Sequence, residues 1–261
     1  MSEYLFDNSS ELERRRLDLL QQIFDPITTE HLERIPLPPG AQCLDFGAGA
    51  GSVARWLCER VGPVGRVVAT DLDPVFLETL TEPNLEVRRH NILSDPLEEK
   101  TFDLIHSRLV LDFFPERQHE VVARLAAALR PGGWLVLEDF DWATLVAVSP
   151  GPRSGLILRV HEALRAVFPS GTPELGRGLP LTFRAAGLTD VGADGRVHVV
   201  LSGTPAAAWW QLTVLALRPR MVELGLFSGA EVDEYIQAID DDGLSFLFPV
   251  MVTAWGRRPP V

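Results

Sequence analysis

The chain has almost no cysteine: Cys43 and Cys58 are the only two among 261 residues. Two thiols are too few for a disulfide framework, and no C-x-x-C spacing suggests zinc. Both are read as space-filling residues in a reducing compartment. Long apolar runs are missing as well. The run AAAWWQLTVLAL at 206–217 falls short of the roughly 20 residues that span a bilayer. The opening MSEYLFDNSSELERRR has no signal-peptide core, and a cytosolic location with no membrane partner is the expectation. Basic charge is in deficit. There are 24 Lys and Arg against 36 Asp and Glu, a formal net charge of −12, and the sequence pI is about 4.9. Such a surface repels phosphate backbones and no basic stripe interrupts it, which argues against nucleic-acid partners. Internal repeats, low-complexity tracts and a linker long enough to divide the chain are absent too. The 46% hydrophobic content suits one large α/β domain.

What is present is alternation. Residues 9–24 carry Leu12, Leu19, Leu20 and Ile23 at helical spacing behind a Ser9/Ser10 cap, and a second short helix is expected at 28–35. IPLPPG at 35–40 breaks the pattern. Strands are then expected at 41–46, 66–70, 85–90, 102–108 and 134–140, with helices at 52–61, 74–80 and 116–129 between them. This order predicts βαβ units and a mostly parallel sheet with helices on both faces. After Pro150 the alternation stops. An inserted helix is expected at 153–167 and a loop at GTPELGRGLP. Helix and strand follow over 179–191, then helices at 205–221 and 229–239, and a closing strand at 245–257.

The strongest motif is LDFGAGAGSVARWL at 44–57, in which an apolar strand ends near Asp45, a glycine turn follows and a helix begins. Gly47 and Gly49 let a ligand approach the backbone closely, at the crevice where open α/β sheets bind nucleotide-like ligands. A dinucleotide fingerprint would need glycine at 52, where this chain has Ser52, with Gly51 arriving early. Asp45, two positions before the first glycine, would repel a pyrophosphate and welcome a cation. The charge logic therefore favours S-adenosylmethionine, which carries a sulfonium and an ammonium, over NAD. In VVATDLDP at 67–74, Asp71 ends the second strand, where a carboxylate accepts both ribose hydroxyls.

Taken in order, LDFGAGAG, VVATDLDP, HNILSDP, FDLIHSRLVLDFFP and LRPGGWLVLEDFDW resemble the motifs of UbiE-like class I S-adenosylmethionine-dependent methyltransferases. The likeness covers roughly residues 1–142. It implies a Rossmann-like fold with a seven-stranded, mostly parallel sheet, an N-terminal helical cap over 1–35, and a methyltransferase domain over 36–261 with a helical insertion at about 150–180. It further implies that Gly47 and Gly49 lie against the methionine part of the cofactor, with Asp45 near its amino group. Asp71 would bind the ribose, Leu72 pack on the adenine, Asn91 and Ile92 flank the adenine edge, and the Ser107 carbonyl face the ammonium. Tyr4 would help cover the cofactor, as in the cap of one bacterial subgroup. Asn91 stands where the family usually has Asp and still offers an acceptor to the adenine amino group. No [DN]PPY motif follows the fourth strand, which argues against amino-methylation of DNA bases or of glutamine.

Methyl transfer is an in-line displacement at an activated carbon, so alignment supplies much of the catalysis. A base is needed only where the acceptor loses a proton. Glu138, Asp139 and Asp141 follow the fifth strand, and three acids desolvated together would raise one another's pKa; Asp139 and Asp141 are the carboxylate candidates. His161 on the inserted helix is the histidine candidate, with a solvent-facing position as its alternative. Trp142, Phe168, Trp209 and Trp210 would roof the site for a planar or prenylated small-molecule acceptor, with ordinary cap core as the other reading. The 206–217 run is also compatible with a homodimer face. No metal site is expected. Two rival readings keep the cofactor pocket: a protein using adenosylmethionine as scaffold or electrostatic aid for a non-methylating reaction, and a non-enzymatic adenosylmethionine sensor.

Overall fold

Apolar runs bounded by glycine and proline become the central strands of one sheet. The computed structural model describes residues 10–260 apart from positions 115, 146–147, 152, 168–173 and 242. The strands are β1 (Gln42–Phe46), β2 (Arg66–Asp71), β3 (Leu85–Arg89), β4 (Phe102–Arg108), β5 (Leu129–Asp141), β6 (Thr189–Arg196) and β9 (Val250–Arg257), in the order β3-β2-β1-β4-β5-β9-β6. β9 runs antiparallel to both neighbours, and the remaining pairs are parallel. This is the expected Rossmann-like fold. Strand order reverses between β1 and β4, and the crevice at that switch point is where open α/β sheets take ligands.

Helices cover both faces. α2 (Ser52–Val61) packs Leu57 and Val61 with Val67 and Leu104 on one side. α3 (Gln118–Ala128) and α5 (Leu175–Ala185) pack Val122, Leu125 and Phe183 with Ile105 and Leu135 on the other. A third core forms a cap of α1 (Glu11–Glu33), α4 (Ser154–Val167), α6 (Pro205–Glu223) and α7 (Gly229–Ala238) with the two-stranded β7 (Val199–Leu201) and β8 (Ser245–Leu247). Phe24, Trp209, Trp210, Tyr235 and Phe246 meet Phe140 and Met251 of the sheet in this core.

Four expectations change. One helix, α1, replaces the pair at 9–24 and 28–35 and runs straight through Pro26. An interior proline costs a helix about 3 kcal/mol; burial of Phe24 and Leu32 on either side of it holds the helix together. The expected loop GTPELGRGLP is helical from Leu175 onward, because Leu175, Leu179 and Phe183 recur at helical spacing and are buried on the sheet. The closing strand is split by Phe248 and Pro249 into β8 and β9, since proline donates no ladder hydrogen bond. Residues 74–80 form only a short 3₁₀ turn at Leu77–Thr79.

Candidate functional site

A single cavity joins the glycine turn to the cap. Its floor is the turn after β1, with Asp45, Gly47, Gly49 and Ser52. Its sides are Asp71, Leu72, His90 and Ile92, and its roof comes from α1 and α6 through Arg16, Leu20, Trp209 and Thr213. Gly47 has φ +67°, and a Cβ there would stand 2.4 Å from Val110 Cγ2. Only glycine accepts both conditions. The neighbouring Gly49 donates its N–H to Asp71 Oδ2 (3.0 Å), while Asp73 N–H reaches Asp71 Oδ1 (3.1 Å). Burial pushes the Asp71 carboxyl up, partly countered by the N–H groups of Asp73, Gly49 and Leu72.

Asp45 is held from behind. His106 donates from Nδ1 to Asp45 Oδ1 (2.7 Å) and from Nε2 to Glu138 Oε2 (3.4 Å). Glu138 also accepts the hydroxyls of Thr253 (2.7 Å) and Thr28. Burial alone would push the imidazole down, but the two carboxylates outweigh it and raise His106 to about 9. Burial would raise Glu138, yet the hydrogen bond and charge of His106, with help from Arg108 and Thr28, lower it to about 2. An imidazolium thus sits between two carboxylates. Arg108 completes the support, binding Thr28 Oγ1 and Asp25 Oδ1 (2.8 Å each), and Ser52 Oγ donates to the same Asp25 oxygen (3.0 Å). The cap helix is lashed to the glycine turn through Asp25.

The residues that sequence reasoning selected divide. Asp45, Gly47, Gly49, Asp71, Leu72 and Ile92 line the cavity together. Asn91 does not; its Oδ1 accepts Leu93 N–H (3.0 Å) in a local turn, and its neighbours His90 and Ile92 take the wall. Ser107 is buried in β4 between two wall residues, His106 and Arg108. Tyr4 and Phe168 lie outside the described residues.

The three acids at the end of β5 do not gather: the strand's two-residue period puts Glu138 on the face opposite Asp139 and Asp141, and those two take separate partners. Glu138 joins His106. Asp139 is buried, accepts Leu111 N–H at 3.0 Å, and is raised well above the usual carboxylate range by burial and by Asp112. Asp141 pairs with the Arg177 guanidinium. None of the three lines the cavity. His161 is fully buried rather than solvent-facing: its Nε2 shares a hydrogen bond with the Tyr235 hydroxyl at 3.0 Å, inside a cage of Trp210, Tyr235 and Phe246. It lies off the cavity wall as well.

Sequence reasoning missed Asp112. It is buried, lines the cavity beside Phe113, Phe140, Trp142 and Trp209, and accepts the Trp142 indole N–H at 2.6 Å. The available signal was an acid placed among aromatics in LVLDFF after the fourth strand. Arg16 was missed too; it is held bidentately by Glu13 (2.8 and 2.7 Å) and lies 5.9 Å over the Trp209 ring. Of the expected roof, Trp142 and Trp209 reach the cavity, while Trp210 donates to the Tyr235 hydroxyl within the cap core. Trp209, Trp210, Val214 and Leu217 of the 206–217 run are buried in the cap core, while Leu215 is exposed. Among the described residues no group of three acids, histidines or cysteines could hold a metal ion, and no helix is long and apolar enough to cross a membrane.

Residues 44–137, from β1 into β5, match the family described as a methyltransferase domain. The chain is 32% identical over 177 residues to methyltransferase str2 of Strobilurus tenacellus, covering 66% of this chain and 62% of that protein. Among solved structures it resembles Haemonchus contortus phosphoethanolamine N-methyltransferase 2, in complex with phosphomonomethylethanolamine and S-adenosylhomocysteine. There the TM-score is 0.53 at 17% identity, over 95% of this chain and 53% of that one. It also resembles the [4+2]-cyclase SpnF, with TM-score 0.56 and 16% identity over 92% and 83% of the two chains. The chain thus spans less than two thirds of the first of these relatives. At such identities the structural likenesses establish the fold and leave the chemistry to the site.

Proposed function

We propose that this chain transfers a methyl group from S-adenosyl-L-methionine to a small-molecule acceptor, releasing S-adenosyl-L-homocysteine. The observation that carries the reading is the continuity of the cavity: one end is a glycine turn flanked by Asp45 and Asp71, the other an aromatic chamber. The first end fits the cofactor chemically. Two carboxylates suit a ribose and a cationic amino acid, and Gly47 leaves room where a Cβ would collide. His90 Nδ1 is buried on that wall with no hydrogen-bond partner among the described residues, which suits an adenine.

When bound, adenosylmethionine supplies an electrophilic methyl on a cationic sulfur. The protein's own residues do the rest. Asp71 holds the ribose and Asp45 the ammonium, fixed in place by His106. Leu72 would pack on the adenine and Ile92 would lie at its edge next to Asn91, while the Ser107 carbonyl would face the ammonium. The family's UbiE-like branch, with residues 1–35 including Tyr4 as cap and 150–180 as insertion, belongs to this reading. So does a cytoplasmic enzyme acting on a metabolite, since the acidic balance disfavours nucleic acid. Phe113, Phe140, Trp142 and Trp209 exclude water and suit a planar acceptor. Asp139, Asp141 and His161 have no direct role here, each being held in a contact away from the cavity.

Incubation with methyl-labelled adenosylmethionine and a metabolite extract, followed by mass spectrometry, tests the proposal. A labelled small molecule is expected. Tight cofactor binding with no labelled product would overturn it in favour of a scaffold or sensor role.

A further inference from the structure

Resting on the methyltransferase reading, we propose that Asp112, paired with Asp139, takes the proton from a hydroxyl nucleophile on a planar acceptor, so that methylation falls on oxygen. Three observations meet at this point. Asp112 is a buried carboxylate on the aromatic wall of the cavity, beside Phe113 and Phe140 and fixed by Trp142 N–H at 2.6 Å. Its neighbour Asp139 is buried behind that wall, with Oδ2 occupied by Leu111 N–H and Oδ1 without a hydrogen-bond partner among the described residues. Trp209, on the same wall and 2% exposed, has an indole N–H with no partner among the described residues. A buried N–H of this kind is satisfied by a ligand oxygen.

Two buried carboxyls so placed cannot both ionise cheaply. The proton rests on Asp139, which burial and Asp112 raise. Asp112, which accepts the Trp142 indole N–H and lies on the cavity wall, is the member of the pair placed to receive the acceptor's proton. It is thereby a base facing a chamber of four aromatic rings, with Trp209 N–H available to a second oxygen of the acceptor. The chemistry this fits is a phenol or enol. Its O–H proton passes to Asp112, the oxygen lone pair forms the new O–CH₃ bond, and the electron pair of the breaking C–S bond stays on sulfur. The proton then leaves to solvent.

The test uses the full chain as wild type, Asp112→Asn and Asp139→Asn, checked for fold by S-adenosylhomocysteine calorimetry. Acceptors are the labelled products' precursors from the extract, together with phenol, catechol and 4-hydroxybenzoate, and the proton-free N,N-dimethylaniline and thioanisole. Label on a formerly protonated oxygen is expected. The kcat of Asp112→Asn should fall by about 10²–10⁴-fold, the usual contribution of a general base, with KM little changed and the acidic limb of the pH profile lost. Asp139→Asn, whose amide cannot share a proton with Asp112, should move the acidic limb of the pH profile rather than abolish it. A readout independent of turnover is the pH titration of tryptophan fluorescence without cofactor. A transition present in wild type should vanish in Asp112→Asn and in Trp142→Phe. Label only on proton-free atoms, Asp112→Asn within threefold of wild type, or a titration indifferent to Asp112 would each overturn the assignment. No labelled product from any acceptor overturns the methyltransferase reading itself, while the fluorescence titration still decides whether Asp112 titrates beside Trp142.

Discussion

Asp71 shows how much of this site is local in the chain. Both its oxygens are oriented by backbone N–H groups, from Gly49 and Asp73, so its geometry follows from the turn after β1 and the end of β2. On the proposed reading, Asp71→Ala would remove charge-assisted hydrogen bonds to the ribose. Adenosylmethionine affinity should weaken by about 1–3 kcal/mol in calorimetry; unchanged affinity would take Asp71 out of the site. Gly47→Ala should act twice, through its positive φ and through the 2.4 Å approach to Val110 Cγ2. A loss of at least 1–2 kcal/mol of stability is expected from the backbone alone. Adding Val110→Ala should relieve the collision and leave that backbone cost, which separates the two effects by chemical denaturation. Residues of this kind were legible in the sequence because strand, turn and helix are consecutive. Asp112 was not, since its meaning depends on Asp139 and Trp142 from another strand end. Nor was the His106–Glu138 pair, which only sheet pairing brings together.

At the level of elements, β5 and α1 carry the lesson. Reading EDFD as one acidic cluster ignored the strand's two-residue period, which sends Glu138 to His106 and Asp139 to Asp112 while Phe140 meets the cap. Strands β1, β2, β4 and β5 were readable because each carries an apolar run between turn residues, whereas β6, TDVGADGR, is polar and mostly exposed and was legible only at its start. The cap was readable only in outline, since its helices are fixed by burial against one another. α1 shows the consequence. A cap lying outside the sheet should be removable, but Phe24 of α1 is 1% exposed and contacts the rings of Phe140, Trp209 and Phe248. Phe24→Ala should therefore destabilise the protein by about 3–5 kcal/mol, read as a fall in denaturation midpoint with loss of near-ultraviolet circular dichroism from the cap tryptophans. Removing residues 1–24 should expose the same core and yield a poorly folded product. A well-folded truncation that binds cofactor normally would show instead that α6 and α7 close the cap unaided.

Across the whole molecule, one charged network ties the layers together. Asp45 of β1, His106 of β4, Glu138 of β5, Thr253 of β9 and Thr28 of α1 meet through hydrogen bonds at the centre of the sheet. Its protonation state therefore sets the stability of the assembly as a whole. His106 rises from 6.5 to about 9 on folding, so its contribution is complete below pH 6.5 and is lost as pH climbs toward 9. Glu138 falls from 4.5 to about 2, so its contribution is complete above pH 4.5 and is lost as pH drops toward 2. The network stabilises most between those limits, from about pH 4.5 to 6.5. Other groups can be told apart by their windows. Cys43, Cys58 and Tyr235, all raised by burial, act only near and above their ordinary values. Asp139, raised by burial and by Asp112, also works against the fold as pH rises, but identically in a His106 variant. Thermal melts of wild type should thus show Tm falling between pH 6.5 and 9, with a shallower fall in His106→Gln, whose Tm should be lower throughout because two buried carboxylates lose their shared cation. Parallel profiles for the two proteins would mean that His106 is neutral in the folded state. Asp45 would then face the cofactor's ammonium without a competing cation, and cofactor affinity would be indifferent to pH across the same interval.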